Sequence, residues 1–360
     1  MPVKLFSGED CVKNNPAAFR LGKKCLIVTG KNSAKASGAL DDVTGALDAN
    51  GTEYLIFDKI NENPLLSVCE NGGRIAAEFG AEFIVGIGGG SALDASKAVA
   101  AFAVNAGVSG DELFDRAVTG LPIIAIPTTA GTGSEANSYS VLSLDGENKK
   151  RTFKSPASYP KAAFLDAKYT LSLNAEYTLS TALDAFCHSI ESYLSPKSTV
   201  SSELYCEYAA REIYSVLKSG TEKLSYTDRE RLLFASCAAG IAIGETGTGF
   251  PHPMGYNLTM FRNVPHGKAC AAFIGKFIEY TSMCDAGKQK ISRFSGNTKI
   301  DTDEMAVRIP SLANVDFCFD DGEIDMFIEK VKTAGNFANN PYIINETEMR
   351  DIYRDIFKEK

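Results

Sequence analysis

Histidine is nearly absent from this chain, with three in 360 residues. A lone histidine is usually a satisfied core or surface group, so what matters is where these three fall. Long apolar runs are also missing. The longest, residues 98–104, is far short of the roughly 20 residues that a helix needs to cross a bilayer. No stretch rich in lysine or arginine offsets the net charge of −8, which argues against a nucleic-acid or membrane-surface partner. No C-x-x-C pair occurs among the nine cysteines, whose number is odd and whose gaps are long and irregular. They read as reduced, mostly buried thiols rather than a disulfide framework or zinc knuckle. Cys187 and Cys270 lie beside residues singled out below and read as small apolar filler. The opening MPVKLFSGED lacks the apolar core of a signal peptide, so a cytoplasmic location is expected. No internal repeat or low-complexity tract is visible.

What is present is an ordinary globular composition, 44% hydrophobic and 23% charged, long enough for two domains. The first half alternates apolar runs at 25–29, 53–57, 83–87 and 123–126 with helical stretches at 37–49, 65–79 and 92–104. Continuous apolar strands between helices predict a mostly parallel sheet covered on both faces. Residues 139–144 and 150–153 flank Asp145-Gly146, a hairpin signal, and 162–165 adds one more strand. From 174 onward strand signals fade and helical segments such as 201–218 and 228–243 dominate. The boundary falls within 167–173. The expected fold is an α/β N-terminal domain over 1–170 and an all-α C-terminal domain over 171–360.

Two loops bear on binding. Residues 83–97 read FIVGIGGGSALDASK, so Gly88, Gly89, Gly90 and Ser91 follow a strand and open a helix. Backbone amides at such a turn favour an anion, and the pyrophosphate of a dinucleotide is the natural guest. The motif is not G-x-G-x-x-G, and a tight turn with a serine N-cap explains it equally well. Residues 127–134 read PTTAGTGS, placing Thr128 and Thr129 directly after the fourth apolar run, where open α/β sheets bind ligands. A polar loop capping a helix is the plain alternative. Two such loops at one sheet edge favour a phosphate-bearing cofactor more than either does alone.

The histidines supply the sharper signal. Asp184 and His188 are four apart, on one face of a helix. His252 and His266 stand in PHPMGYNLTMFRNVPHG, punctuated by glycine and proline. Three imidazoles and a carboxylate suit one divalent ion and leave a further coordination position open. All three histidines of the chain belong to this set, which scatter would not produce. Glu191, seven residues after Asp184 on the same helical face, reads as a structural or supporting group.

These motifs, in this order and spacing, resemble the iron-containing (group III) alcohol dehydrogenases over nearly the whole chain. The resemblance rests on Gly88-Gly89-Gly90-Ser91 with Asp94 and Lys97, on the loop from Pro127 to Glu135, on Asp184 with His188, and on His252 with Pro265-His266-Gly267. It implies an N-terminal dinucleotide-binding domain, a helical metal- and substrate-binding domain, Fe2+ or Zn2+ at the quartet, a small alcohol or aldehyde as substrate, and a homodimer or higher homo-oligomer. It also implies that Asp94, Asn137 and Lys150 contact the cofactor. One departure stands out. The family often carries H-x-x-x-H-P-x-G, with the second histidine near the nicotinamide. The fourteen-residue spacing from His252 to His266 fits the first of those histidines, which puts Tyr256 in the place of the second. Tyr256 is then either a proton relay through its hydroxyl or a pocket wall, with water carrying the proton.

In this family an acid after the first strand binds the ribose 2′-hydroxyl of NAD. Here the stretch is Thr29-Gly30-Lys31-Asn32-Ser33-Ala34-Lys35, with no acid. Cations and hydroxyls serve a 2′-phosphate better, so Gly30, Lys31 and Ser33 point to NADP(H), with NAD(H) as the alternative. Lys31 and Lys35 as plain solvated charges is the competing account. The expected activity is metal-dependent interconversion of alcohols and aldehydes or ketones. Two rivals are a non-redox lyase or cyclase of the dehydroquinate-synthase type and a non-catalytic dinucleotide sensor. The first generally has glutamate at position 184 and a basic cluster that this chain lacks. The second has no need of an intact metal quartet.

Overall fold

Cys25, Leu26, Ile27 and Val28 are all excluded from solvent. Alternate residues of this strand serve different cores. Cys25 and Ile27 pack with Phe83, Val85 and Ile87, while Leu26 and Val28 pack with Ile84. A strand buried on both faces has no polar side to display, which is why the sequence reads as unbroken apolar runs.

The computed structural model describes residues 2–105, 107–147 and 149–357. The chain divides into two compact units, Met1–Asn174 with Leu224–Gly240, and Ala175–Lys223 with Ile241–Lys360. The first unit is built on β1 (Lys4–Ser7), β2 (Lys24–Gly30), β3 (Glu53–Ile60), β4 (Phe83–Gly88), β5 (Ile123–Pro127), β6 (Tyr139–Ser143), β7 (Lys150–Lys154) and β8 (Ala162–Leu165). Six of these form one sheet in the order β1-β8-β5-β4-β2-β3, parallel throughout. Strands β6 and β7 form the separate antiparallel hairpin that Asp145-Gly146 signals. Helices Ala39–Asp48, Leu66–Phe79 and Gly90–Phe102 alternate with the strands. The helix expected from residue 37 starts instead at Ala39, because Gly38 takes a left-handed φ of 78° and breaks the run.

The sheet order has one consequence for function. Strands β2, β4 and β5 are neighbours, with Thr29 opposite Ile87 and Gly88 opposite Pro127. The segments that follow all three strands therefore leave the same edge of the sheet side by side. The chain returns to this unit at residues 224–240, where Arg229 donates to the carbonyls of Thr170 (2.6 Å) and Leu173 (3.0 Å).

Among the described residues the second unit is helical. It contains Ala175–Leu194, Val200–Ser219, Pro251–Arg262, His266–Ala271, Ile274–Thr281, Asp285–Thr298, Thr302–Ala313, Asp321–Val331 and Glu346–Ile356. Local chemistry sets the ends. Thr199 and Ser202 close a capping box, as do Asn345 and Glu348. Pro251 opens its helix at a position where a missing N–H costs nothing, and Asn263 ends that helix in the left-handed region at φ 53°. The chain then turns at once into His266–Ala271. No single helix among the described residues is long and apolar enough to cross a membrane.

Candidate functional site

The long helix Ala175–Leu194 carries Asp184 and His188 one turn apart on one face. His252 stands in the first turn of Pro251–Arg262, and His266 is the first residue of the next helix. Gly267 lets that short helix close on the long one. A Cβ there would overlap the Ser180 carbonyl oxygen and lie 2.8 Å from the Asp184 amide nitrogen. The glycine that follows the last histidine is thus a spacer that sets how near His266 comes to Asp184.

The result is a convergence on one atom. Asp184 Oδ1 lies 3.7 Å from His188 Nε2, 3.6 Å from His252 Nε2 and 3.8 Å from His266 Nε2. These separations exceed a hydrogen bond. They match the roughly 3–4 Å between donors that each sit about 2.0–2.2 Å from one ion. Asp184 Oδ1 and His252 Nε2 are buried and have no hydrogen-bond partner. Two orphaned polar atoms facing each other in the interior are costly unless a cation completes them. The four residues therefore fit a divalent metal ion.

Glu191 explains how His252 is aimed. Its carboxylate, fully buried, receives the Gly249 amide at 2.7 Å and lies 2.8 Å from His252 Nδ1. Engaging Nδ1 leaves Nε2 turned toward Asp184, as carboxylate partners of metal-binding histidines do. Burial raises the Glu191 carboxyl above its ordinary range, and the His252 imidazole opposes that rise. Burial would likewise raise Asp184, yet the surrounding imidazoles, His188 foremost, hold it well below the usual carboxylate range. Without a cation, burial disfavours a charged His252, but Glu191 and Asp184 outweigh this and raise its pKa. The side chain of His266 is 30% exposed against 7% for His188 and 4% for His252, so the cluster is accessible from the His266 side.

Tyr256 stacks on the His266 ring, with centroids 5.4 Å apart and planes 23° from parallel. It is half-buried. Cys270, read from the sequence as filler, is buried and brings Sγ to 3.7 Å from the ring nitrogens of His266. Nothing in its surroundings in the sequence marks it apart from Cys187, which is fully buried and whose thiol burial pushes well up.

The sequence-derived binding loops also come together. A Cβ on Gly89 would lie 3.1 Å from Thr129 Oγ1, and one on Gly90 would collide with the Thr132 side chain. Gly88 has φ 149°, a conformation that favours glycine. The site where its Cβ would be is 3.7 Å from Ser33 Oγ, and Ser33 Oγ in turn is 3.6 Å from the corresponding point on Gly30. Thr29 and Thr128 carry buried hydroxyls without a hydrogen-bond partner at this edge. Ser91 Oγ accepts from the Asn63 amide at 3.3 Å, and Lys150 Nζ donates to Asn63 Oδ1 at 2.8 Å. Asn63, in the left-handed region at φ 55°, was invisible to sequence reasoning. Lys31 is exposed.

Asp94 and Asn137 are occupied within the protein. Asp94 accepts from Ser134 Oγ at 2.5 Å and the Val141 amide at 2.9 Å, tying the helix after the glycine turn to the second loop. Asn137 Oδ1 accepts from the Tyr139 amide at 3.0 Å. Lys97 is buried between them, donating to Ser134 Oγ and the Tyr139 carbonyl at 2.6 Å each. Burial pushes its ammonium down to about 8, against the pull of Asp94.

Comparison with known proteins agrees with this architecture. The family model described as iron-containing alcohol dehydrogenase matches residues 2–167. A second, for the C-terminal part of the Fe-containing alcohol dehydrogenase family, matches residues 178–357. The crystal structure of an iron-containing alcohol dehydrogenase from Thermotoga maritima superposes with a TM-score of 0.91 at 33% identity, covering 100% of this chain and 99% of that one. The sulfoacetaldehyde reductase of Bifidobacterium kashiwanohense, solved in complex with NAD+, gives 0.89 at 26% identity, covering 100% and 98%. The sulfoacetaldehyde reductase of Bilophila wadsworthia is 32% identical over 259 residues, 70% of this chain and 66% of that protein. The fold and the donor set thus define an oxidoreductase of alcohols and aldehydes. The chain belongs to the iron-containing alcohol dehydrogenase family.

Proposed function

We propose that this protein is a metal-dependent, NADP(H)-using oxidoreductase that interconverts a small primary or secondary alcohol with its aldehyde or ketone, and works physiologically as an aldehyde reductase. The observation that carries the reading is the placement of three imidazole nitrogens around the orphaned Asp184 Oδ1. Asp184, His188, His252 and His266 are the ligands. The ion is Fe2+ on the family's description, and Zn2+ suits the same donors. When bound, it supplies Lewis acidity toward a carbonyl or alkoxide oxygen.

The chain's own residues do the rest. Glu191 holds His252 in the tautomer that offers Nε2. The amides of the Gly88–Gly90 turn, with Ser91, Thr128 and Thr129, receive the pyrophosphate, and Asp94 keeps the two loops in register. Asn137 and Lys150 border the same cofactor. Gly30, Lys31 and Ser33 accept the 2′-phosphate, because no carboxylate after β2 repels it. Tyr256, stacked on His266, passes a proton through its hydroxyl to the oxygen produced by hydride transfer. The active form is a homodimer or higher homo-oligomer. Aldehyde reduction is favoured by relatives such as the sulfoacetaldehyde and lactaldehyde reductases, the latter from Escherichia coli at 30% identity over 284 residues, 76% of this chain and 72% of that protein.

The test is a panel of small aldehydes with NADPH and NADH, followed by cofactor absorbance. Turnover is expected with NADPH, with kcat/KM roughly tenfold or more above that with NADH if one charge-assisted contact distinguishes them. Equal kcat/KM for both overturns the cofactor assignment. No oxidation or reduction of any aldehyde or alcohol, by metal-replete protein, overturns the activity.

A further inference from the structure

Cys270 is a donor at the metal quartet that the reading above leaves unused. It lies four residues after His266, so both face the same side of the helix His266–Ala271. One ligand atom from each of Asp184, His252, His266 and Cys270 lies within 4.8 Å of the others. The sulfur is 3.7 Å from both His266 ring nitrogens. A second, independent feature points the same way. The side chains of Asp184 and His252 are 7% and 4% exposed, and the atoms they turn into this cluster have no hydrogen-bond partner.

We propose that Cys270 Sγ is an additional, exchangeable donor to the divalent ion, which makes the set three nitrogens, one oxygen and one sulfur. The proposal rests on the quartet being a metal site. Donors on opposite sides of one ion, at about 2.1 Å for nitrogen and 2.3 Å for sulfur, are at most roughly 4.4 Å apart. The 4.8 Å within which the Asp184, His252, His266 and Cys270 donor atoms fall is close to that span, so the sulfur stands near enough to share an ion with the other three. A cysteine side chain has a single rotatable bond between backbone and sulfur, so it can engage or withdraw while the helix stays fixed. On engagement the S–H bond breaks, its proton goes to solvent, and the sulfur electron pair forms the metal–sulfur bond. No oxidation state changes. A thiolate is a soft ligand, so the site favours zinc, cobalt or cadmium over manganese more strongly than the three imidazoles and one carboxylate alone would.

The experiment removes metal from the whole protein and titrates cobalt(II) into wild type, Cys270→Ser, Cys270→Ala and His266→Ala. A sulfur-to-cobalt charge-transfer band in the near ultraviolet is expected in wild type. Both Cys270 variants should lose that band and keep the weaker visible ligand-field bands. The ratio of cadmium to manganese affinity should fall roughly tenfold in Cys270→Ser. Cobalt bound by wild type without a charge-transfer band, or with the same band in Cys270→Ser, overturns the role of Cys270 and leaves the quartet standing. Failure of wild type to bind cobalt at all overturns the metal site and this proposal with it, whereas loss of binding in His266→Ala alone supports the quartet. The wild-type spectrum decides the matter even if a variant does not fold.

Discussion

The helical unit and the α/β unit present their chemistry in different ways. In the helical unit the candidate site is made of side chains: one carboxylate and three imidazoles, with Glu191 behind them. In the α/β unit it is made mainly of backbone, with glycines and hydroxyl residues leaving room at one sheet edge. A side-chain site is tied to residue type, so a substitution removes a ligand outright. A backbone site is tied to shape, so a substitution shifts preference and leaves the scaffold in place. Mutations in the helical unit should therefore act as switches, and those in the α/β unit as adjustments.

Gly267→Ala should have the largest effect. The added methyl overlaps the Ser180 carbonyl and pushes His266 away from Asp184. Metal content should fall to background and turnover should vanish, while circular dichroism still shows a helical protein. Full metal occupancy in this variant would remove the spacer role given to Gly267. Glu191→Gln should come next. It keeps size but loses the charge facing His252 Nδ1, and removing such a partner typically costs about 10–100-fold in metal affinity. Unchanged affinity in a chelator competition would reduce Glu191 to a helix-packing group.

Tyr256→Phe keeps the ring stacked on His266 and deletes only the hydroxyl. If that hydroxyl carries the proton, kcat should drop at least about tenfold with metal content intact, since general acid–base groups contribute roughly 10²–10⁴-fold. An unaltered kcat and pH profile would leave Tyr256 as a wall. Gly30→Asp, in the α/β unit, should have the smallest effect. It should shift the NADPH:NADH preference severalfold toward NADH by placing a carboxylate near the 2′ position. A Cβ at Gly30 would lie 3.2 Å from the Ile60 carbonyl, so a modest local shift is required as well. Turnover lost with both cofactors would mean that this edge tolerates no side chain.

The same contrast explains what could be read from the sequence. The parallel sheet was legible because β2, β4 and β5 are buried on both faces and leave unbroken apolar runs. The edge strand β1 was not, because KLFS is short and half-exposed and gains its place only by pairing with β8. The quartet was legible because histidine is rare and Asp184 and His188 are spaced for one helical face. The nearness of Cys270 was not, since it depends on how closely the helix His266–Ala271 approaches Ala175–Leu194, a distance set by Gly267. Asn63 lay outside sequence reasoning because its link to Ser91 and Lys150 joins segments 28 and 87 residues apart. Asp94 was identified as part of a motif, but only the structure reveals that it braces the second loop.

The central claim is that one divalent ion, held by Asp184, His188, His252 and His266, is required for turnover. The most direct measurement is elemental analysis of the purified wild-type protein, with activity followed through exhaustive chelation and metal return. About one ion per chain is expected, with activity lost on chelation and restored by Fe2+ or Zn2+. Full activity in protein stripped of metal would contradict the account.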